Sequence, residues 1–200
     1  MRNIGMEDRK RIKEALQKKY YKVALTPEGN FQYPVGENGL KKLRYDPEVL
    51  NGLSKEILKS YCGVGNPFSL GQVNRGETML DVGCGAGVDS MIAGTLVGNY
   101  GKAIGIDIVS EMLRRAQENL RITELNNVSF CEVSGEELPF SEASFDFVIS
   151  NGAFNLIPDK LKALKESFRV LKPFGRLMIA DQVLIAQQGV DISGIDNWAS

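Results

Sequence analysis

Histidine is absent from the 200-residue chain. That absence removes the commonest general base, the commonest metal ligand and the usual partner of a nucleophilic Ser or Cys, so hydrolytic triads and histidine-built metal centres are excluded. Cysteine is scarce as well. Cys62, Cys84 and Cys131 are too few and too unevenly spaced for a disulfide framework or a metal-ligand set, which fits a reducing cytoplasm. No sign of charge dominates, since 24 basic and 25 acidic residues give a formal net charge of -1. Such a chain has no overall field to gather nucleic acid or an anionic membrane surface. Apolar runs of about 18 residues or more are also missing, and the basic stretch Met1 to Tyr20 lacks the apolar centre of a signal peptide, so neither a membrane span nor export is expected. What remains, 43% hydrophobic and 24% charged, describes a globular chain with one main core and a short appendage.

The chain divides into two parts, an N-terminal region of helices and loops over residues 1–69 and an alternating strand–helix region over residues 70–200. From Glu7 to about Ala24, apolar Ile12, Ala15, Leu16, Tyr20 and Val23 recur at spacings of three and four, which predicts an amphipathic helix with a basic outer face. Residues Thr26 to Gly39 are rich in Pro, Gly and Asn and carry Phe31 and Tyr33, the composition of a loop. A second helix is expected over Pro47 to Tyr61, broken by Gly63-Val64-Gly65-Asn66-Pro67. From Glu77 onward, short apolar runs alternate with helical segments, the signature of a parallel sheet with helices on its faces. The strands are read at Thr78–Val82, Lys102–Ile106, Val128–Val133, Phe145–Ser150 and Arg176–Asp181. The helices are read at Val88–Val97, Ser110–Thr123, with Ser110 as its N-cap, and Lys160–Val170, with Lys172-Pro173-Phe174-Gly175 ending the last.

A strand ending in Asp81 and followed by Gly83, Gly85 and Gly87 before a helix makes a turn where backbone can approach a ligand unobstructed. Dinucleotide-binding folds use a related device, but their Gly-x-Gly-x-x-Gly pattern would place the third small residue at Val88 rather than Gly87. A second acid, Asp107, closes the next strand, where one carboxylate accepts two ribose hydroxyls.

At these residues the chain resembles the class I S-adenosylmethionine-dependent methyltransferases. Asp81 to Gly87 and Gly105-Ile106-Asp107 look like the first two motifs of that family. Glu136-Glu137-Leu138-Pro139-Phe140, Ser144 to Asn151 and Arg169 to Leu177 match its small-molecule branch, which includes quinone-precursor methyltransferases. The likeness covers about Leu70 to Ile185. It implies a Rossmann-like α/β fold, a mainly parallel twisted sheet with helices on both faces, under a helical N-terminal lid. S-adenosylmethionine is the implied cofactor. Asp81 and the turn residues Gly83, Cys84, Gly85 and Gly87 would face its methionine part and Asp107 its ribose. Ile108 and Met112 would hold the adenine, with Ser134, Gly135 and Glu136 along its polar edge. Asn151 would lie between cofactor and acceptor. Apart from the resemblance, the N-terminal helix and the loop with Phe31 and Tyr33 are expected to close over the cofactor, with Asn66 and Asn155 near the acceptor. Ser134 stands where the family often has Asp.

A closer likeness runs to the arsenite methyltransferases, in Tyr61 to Pro67 and Ile149 to Lys160. Their thiolates, however, fall where this chain has Val64 and Gly152, and Cys62 is offset by two residues from the first. Without neighbouring thiolates the soft three-sulfur site that trivalent arsenic needs does not form. The resemblance therefore implies a methyltransferase of a different small molecule, with no metal and no identified catalytic residue. The rivals are a non-catalytic S-adenosylmethionine-binding protein and a nicotinamide-dependent oxidoreductase. The family's sheet has seven strands, and Ile185 to Ser200 is too short for the last two. A missing C-terminal part is expected, and a bare fifth strand would invite pairing with another chain, such as a homodimer.

Overall fold

The computed structural model describes residues 5–183. Five strands form one parallel sheet in the order β3-β2-β1-β4-β5. They are β1 (Thr78–Val82), β2 (Lys102–Asp107), β3 (Val128–Glu132), β4 (Phe145–Asn151) and β5 (Leu171–Ala180). A parallel sheet needs cover on both faces, and the central strands are accordingly apolar on both: Met79 and Leu80 of β1, and Phe147, Val148 and Ile149 of β4, are fully buried. Between the strands run α5 (Val88–Val97), α6 (Ser110–Arg121) and α7 (Lys160–Val170). The fold is thus the Rossmann-like α/β sheet expected from the motifs.

The two faces have different cover. On one, α5 packs with Met79, Phe147 and Ile149, together with Leu40, Tyr45, Leu50, Ile57 and Tyr61 from the N-terminal region. On the other, Leu80, Val82, Phe145 and Val148 meet Leu138, Phe154 and the α7 residues Ala163 and Val170. The N-terminal region holds α1 (Met6–Leu25), α2 (Gly36–Lys42), α3 (Pro47–Asn51) and α4 (Lys55–Lys59). It shares its core with the sheet. The expected amphipathic helix is α1, which buries Ile12, Leu16, Val23 and Ala24.

Four expectations need correction. The single helix over Pro47–Tyr61 is two short ones, because Gly52 closes α3 and the Ser54 hydroxyl accepts the Ile57 N–H to start α4. The loop Thr26–Gly39 ends early, at Val35, where α2 begins. Ser110 is the first residue of α6 rather than its cap: Val109 holds the cap position, without a side-chain bond. Lys172–Gly175 does not end a helix but bulges from β5, whose pairing jumps from Phe145↔Leu171 to Phe147↔Arg176. Phe174 sits fully exposed at that bulge with φ +65°. The predicted tail, Gln187 to Ser200, lies outside the described residues.

In this strand order the chain first winds outward from β1 through β2 to β3, then returns to the other side of β1 as β4. Loops leave the C-terminal ends of β1 and β4 in opposite directions. A crevice opens at that switch point.

Candidate active site

Residues 83–87 form the floor of this crevice. Gly83 and Gly85 have φ of +78° and +53°, in the left-handed region that favours glycine. The turn is tied to β2, since the N–H groups of Gly83 and Cys84 both donate to the Ile106 carbonyl, at 2.8 and 2.9 Å. A Cβ on Gly83 would collide with Ala153 Cβ, and one on Gly85 would come within 3.0 Å of Met112 Cε. Bare backbone therefore faces the cleft at both positions. Gly87 serves a different end: it starts α5 in a left-handed conformation, and its missing Cβ leaves room for the Phe130 ring.

Above the turn lies a cleft of about 120 Å3. Of the sequence-predicted residues it is lined by Gly83, Gly85, Asp107, Ile108, Met112, Ser134, Gly135 and Asn151. A smaller cavity of about 40 Å3 adjoins it, lined by Asp81, Cys84 and Asp89 and sharing Cys62, Gly83, Gly85 and Asn151 with the larger one. Glu136 faces neither. One of its oxygens is bound by Arg9 Nη1 and the other by the Asp159 N–H, both at 2.6 Å, so it joins α1 to the start of α7. The expectation that Glu136 flanks the cleft is corrected accordingly.

The carboxylate of Asp107 is organised by the chain itself. Its Oδ2 accepts the Gly85 N–H and its Oδ1 the Val109 N–H, each at 2.9 Å. Burial pushes this carboxyl above its ordinary range, and the N–H donors pull it back. With the Ile108 N–H also reaching it, three backbone donors hold the carboxylate and leave it acceptor capacity for a hydroxyl. Asp81 is deeper: its Oδ2 accepts the Ser90 hydroxyl at 2.7 Å, and burial followed by the nearby Asp89 charge holds its carboxyl well above normal.

Sequence reasoning missed a polar cluster built on Asp89. Its Oδ1 accepts the Tyr45 hydroxyl at 2.7 Å and its Oδ2 the Asn151 amide at 2.8 Å. The carbonyl oxygen of Asn151 accepts the N–H groups of Val64 and Gly65, at 2.8 and 3.0 Å, and the Tyr61 hydroxyl donates to the Gly65 carbonyl. Asn151 thereby clamps segment 61–67 to the end of β4. One signal was available: Asp89 is the only charged residue in Val88–Val97.

The N-terminal region supplies the facing wall. Tyr20 and Tyr33 line the cleft, and the Tyr33 hydroxyl donates to the Cys62 carbonyl at 3.1 Å. Phe31 does not line it but stacks on Tyr33, with ring centroids 5.0 Å apart. Burial pushes the Cys62 thiol up to about 12. A Cβ on Gly152 would lie 3.3 Å from Val64 Cγ1, so these two positions are neighbours in space. No group of three His, Cys, Asp or Glu able to hold a metal occurs among the described residues. Asn66 stands apart, capping a 3-10 turn at Phe68 and lining a separate groove. Asn155 follows the end of β4, its N–H bound to Asp181 and its Oδ1 buried without a partner.

The family profile described as Methyltransferase domain matches residues 73–195. The chain belongs to the methyltransferase-domain family. Among curated relatives of this methyltransferase-family chain is the arsenite methyltransferase of Halobacterium salinarum, 40% identical over 149 residues, which are 74% of this chain and 38% of that protein. Another is the demethylmenaquinone methyltransferase of Oceanobacillus iheyensis, 38% identical over 106 residues, 53% of this chain and 44% of the relative. Among solved structures, the arsenic(III) S-adenosylmethionine methyltransferase of Chlamydomonas reinhardtii superposes with a TM-score of 0.62 at 32% identity, over 69% of this chain and 50% of that one. The chain spans less than half the length of the curated relatives it matches. The resemblance read from Asp81 to Leu177 is thereby confirmed at the level of family and fold.

Proposed function

We propose that this chain forms the cofactor-binding part of an S-adenosylmethionine-dependent methyltransferase acting on a small molecule. The observation that carries the reading is the glycine turn at 83–85 opening onto the same cleft as Asp107, a cradle that a Cβ at either glycine would fill. Bound there, the cofactor supplies a methyl group already activated on a sulfonium. The protein's remaining work is alignment and exclusion of water. Asp107 holds the ribose, Ile108 and Met112 sandwich the adenine, and Ser134 with Gly135 borders its polar edge. Gly83, Cys84 and Gly85 lie under the sulfur end, and Gly87 sets the turn from behind.

The acceptor end narrows the substrate class. It is walled by Tyr20, Tyr33 and Cys62, and burial drives all three above their ordinary range, so none takes a proton near neutral pH. An acceptor that arrives already nucleophilic, such as a thiol or a stabilised carbanion, suits this wall; an unactivated hydroxyl does not. The region 1–69 acts as the lid, through Tyr20 and Tyr33 and with Phe31 behind them. The three free cysteines fit a reducing cytoplasm, and the outer edge of β5 is where a homodimer would form.

Calorimetry with S-adenosylmethionine, followed by an acceptor screen reading out S-adenosylhomocysteine, tests this function. Binding with turnover on a small thiol or activated carbon is expected. Tight binding without turnover on any acceptor would favour the scaffold reading, and binding of reduced nicotinamide dinucleotide in its place would overturn both. If Phe31→Ala and Tyr33→Ala leave affinity and turnover untouched, the lid is wrong.

A further inference from the structure

Asp89 is a charged group where the packing has no use for one. It lies in the first turn of α5 with 7% of its surface exposed, and its partners, Tyr45 and Asn151, are neutral donors. Both of its oxygens take donors, but neutral donors alone leave the buried negative charge without a counter-charge. The small cavity beside it is lined by Asp81 and Asp89, and no Lys or Arg lines it. The other polar groups facing it, Ser60, Tyr61 and Cys62 from the N-terminal region, Cys84 from the turn and Asn151 from β4, are neutral, and Arg115, which does not line it, donates to the Ser60 hydroxyl at 3.2 Å. Asp81 faces it too, its Oδ2 accepting the Ser90 hydroxyl. A space bounded by two carboxylates and no cation is complementary to a cation, and it continues into the cofactor cleft through Gly83 and Gly85.

We propose that Asp89 binds the amino group of the cofactor's methionine part, its oxygens aimed by Tyr45 and Asn151. This rests on the reading of the cleft as an S-adenosylmethionine site. It also divides the labour between the two acids. Burial, and after it the charge of Asp89, holds the Asp81 carboxyl well above its ordinary range. Burial raises Asp89 from 3.8 to about 6, and the Asn151 and Tyr45 donors limit the rise. An ammonium beside it stabilises the carboxylate, so binding near pH 6 releases a proton from Asp89 to solvent.

The test is calorimetry on the whole chain with two nucleosides, S-adenosylhomocysteine, which carries the amino acid end, and methylthioadenosine, which lacks it. Wild type and Asp89→Asn are compared at about pH 6 and about pH 8, in buffers of different protonation enthalpy. In Asp89→Asn, S-adenosylhomocysteine is expected to bind roughly tenfold or more weakly at the higher pH, the loss of one charged hydrogen bond. Methylthioadenosine should bind both proteins alike, which also shows that the variant is folded. Wild type should release a proton on binding S-adenosylhomocysteine near pH 6, and the variant should not. Equal affinity of both proteins for S-adenosylhomocysteine, or proton release that survives the substitution, overturns the role of Asp89 while leaving the cofactor reading intact. Failure of wild type to bind either nucleoside overturns the cofactor reading, and Asp89's role with it.

Discussion

The cleft has two walls of unlike construction. The wall made by the sheet, residues 83–85 and 107–112, is shaped by backbone: left-handed glycines, a turn tied to the Ile106 carbonyl, and a carboxylate gripped by two nearby N–H groups. The wall made by the N-terminal region and segment 61–67 is held by side chains that reach far along the chain, above all Asn151, 87 residues from the N–H it binds at Val64. Backbone shape tolerates almost no substitution, whereas a side-chain clamp fails locally and leaves the sheet standing. The two walls should therefore break in different ways.

The largest effect is expected at Gly83. Valine there meets both a forbidden φ of +78° and the Ala153 Cβ, so the turn must move. Cofactor affinity should fall by about 100-fold or more, corresponding to about 3 kcal/mol, measured by calorimetry. A Gly83→Val protein that binds within about threefold of wild type would show that the turn is not the floor of the site.

Next comes Asn151→Ala, which removes the clamp while sparing the strand. Loss of its bonds to Val64, Gly65 and Asp89 should lower stability by about 2–3 kcal/mol and leave Asp89 short of a donor. Limited proteolysis should then cut within 61–67 well before the sheet. If cleavage there matches wild type, the two walls are not separable and the comparison fails.

These two sites also show what the sequence made legible. The sheet, its three covering helices and the glycine turn were readable because each depends on local grammar: period-two or unbroken apolar runs, an acid at a strand end, glycines at φ > 0. The Asp89 cluster was not, because Tyr45, Tyr61, Asp89 and Asn151 are far apart in the chain and meet only through the crossover at β4. Gly87 and Glu136 were placed by motif proximity, yet a residue next to a site in sequence turns away as easily as toward it. Glu136 went to Arg9, a partner 127 residues distant. The split of the second helix had a local signal, Gly52 followed by Ser54 as a cap, that the helical periodicity of Pro47 to Tyr61 masked. Phe174 at φ +65° in the bulge of β5 is instead a choice made by tertiary packing over propensity.

Asp89→Asn sharpens the comparison from the side of stability. Its folded-state value, about 6, exceeds the ordinary 3.8, so its contribution to stability is fully present below 3.8 and lost as pH rises through about 6. Asparagine removes this pH dependence but turns one of the two acceptor oxygens into an NH2 that faces a donor. Between about pH 4 and about pH 7 the melting temperature of the variant should therefore change less with pH than that of wild type, even while it binds S-adenosylhomocysteine less well. An equal pH dependence in the two proteins would mean that Asp89 does not titrate there in the folded state.

The smallest effect is expected at Arg9→Ala. The Arg9–Glu136 contact is short, at 2.6 Å, but Arg9 is 38% exposed, and water and salt screen a pair of that kind. Glu136 also keeps the Asp159 N–H after the arginine is gone. The N-terminal helix is anchored further along by buried Val23 and Ala24 against Met112 and Val109, contacts that do not depend on Arg9. Stability should drop by no more than about 1 kcal/mol, and nucleoside affinity should not change. A measurable loss of affinity would place the start of α1 among the groups that shape the cleft, and the wall it belongs to would then extend to the far end of the helix.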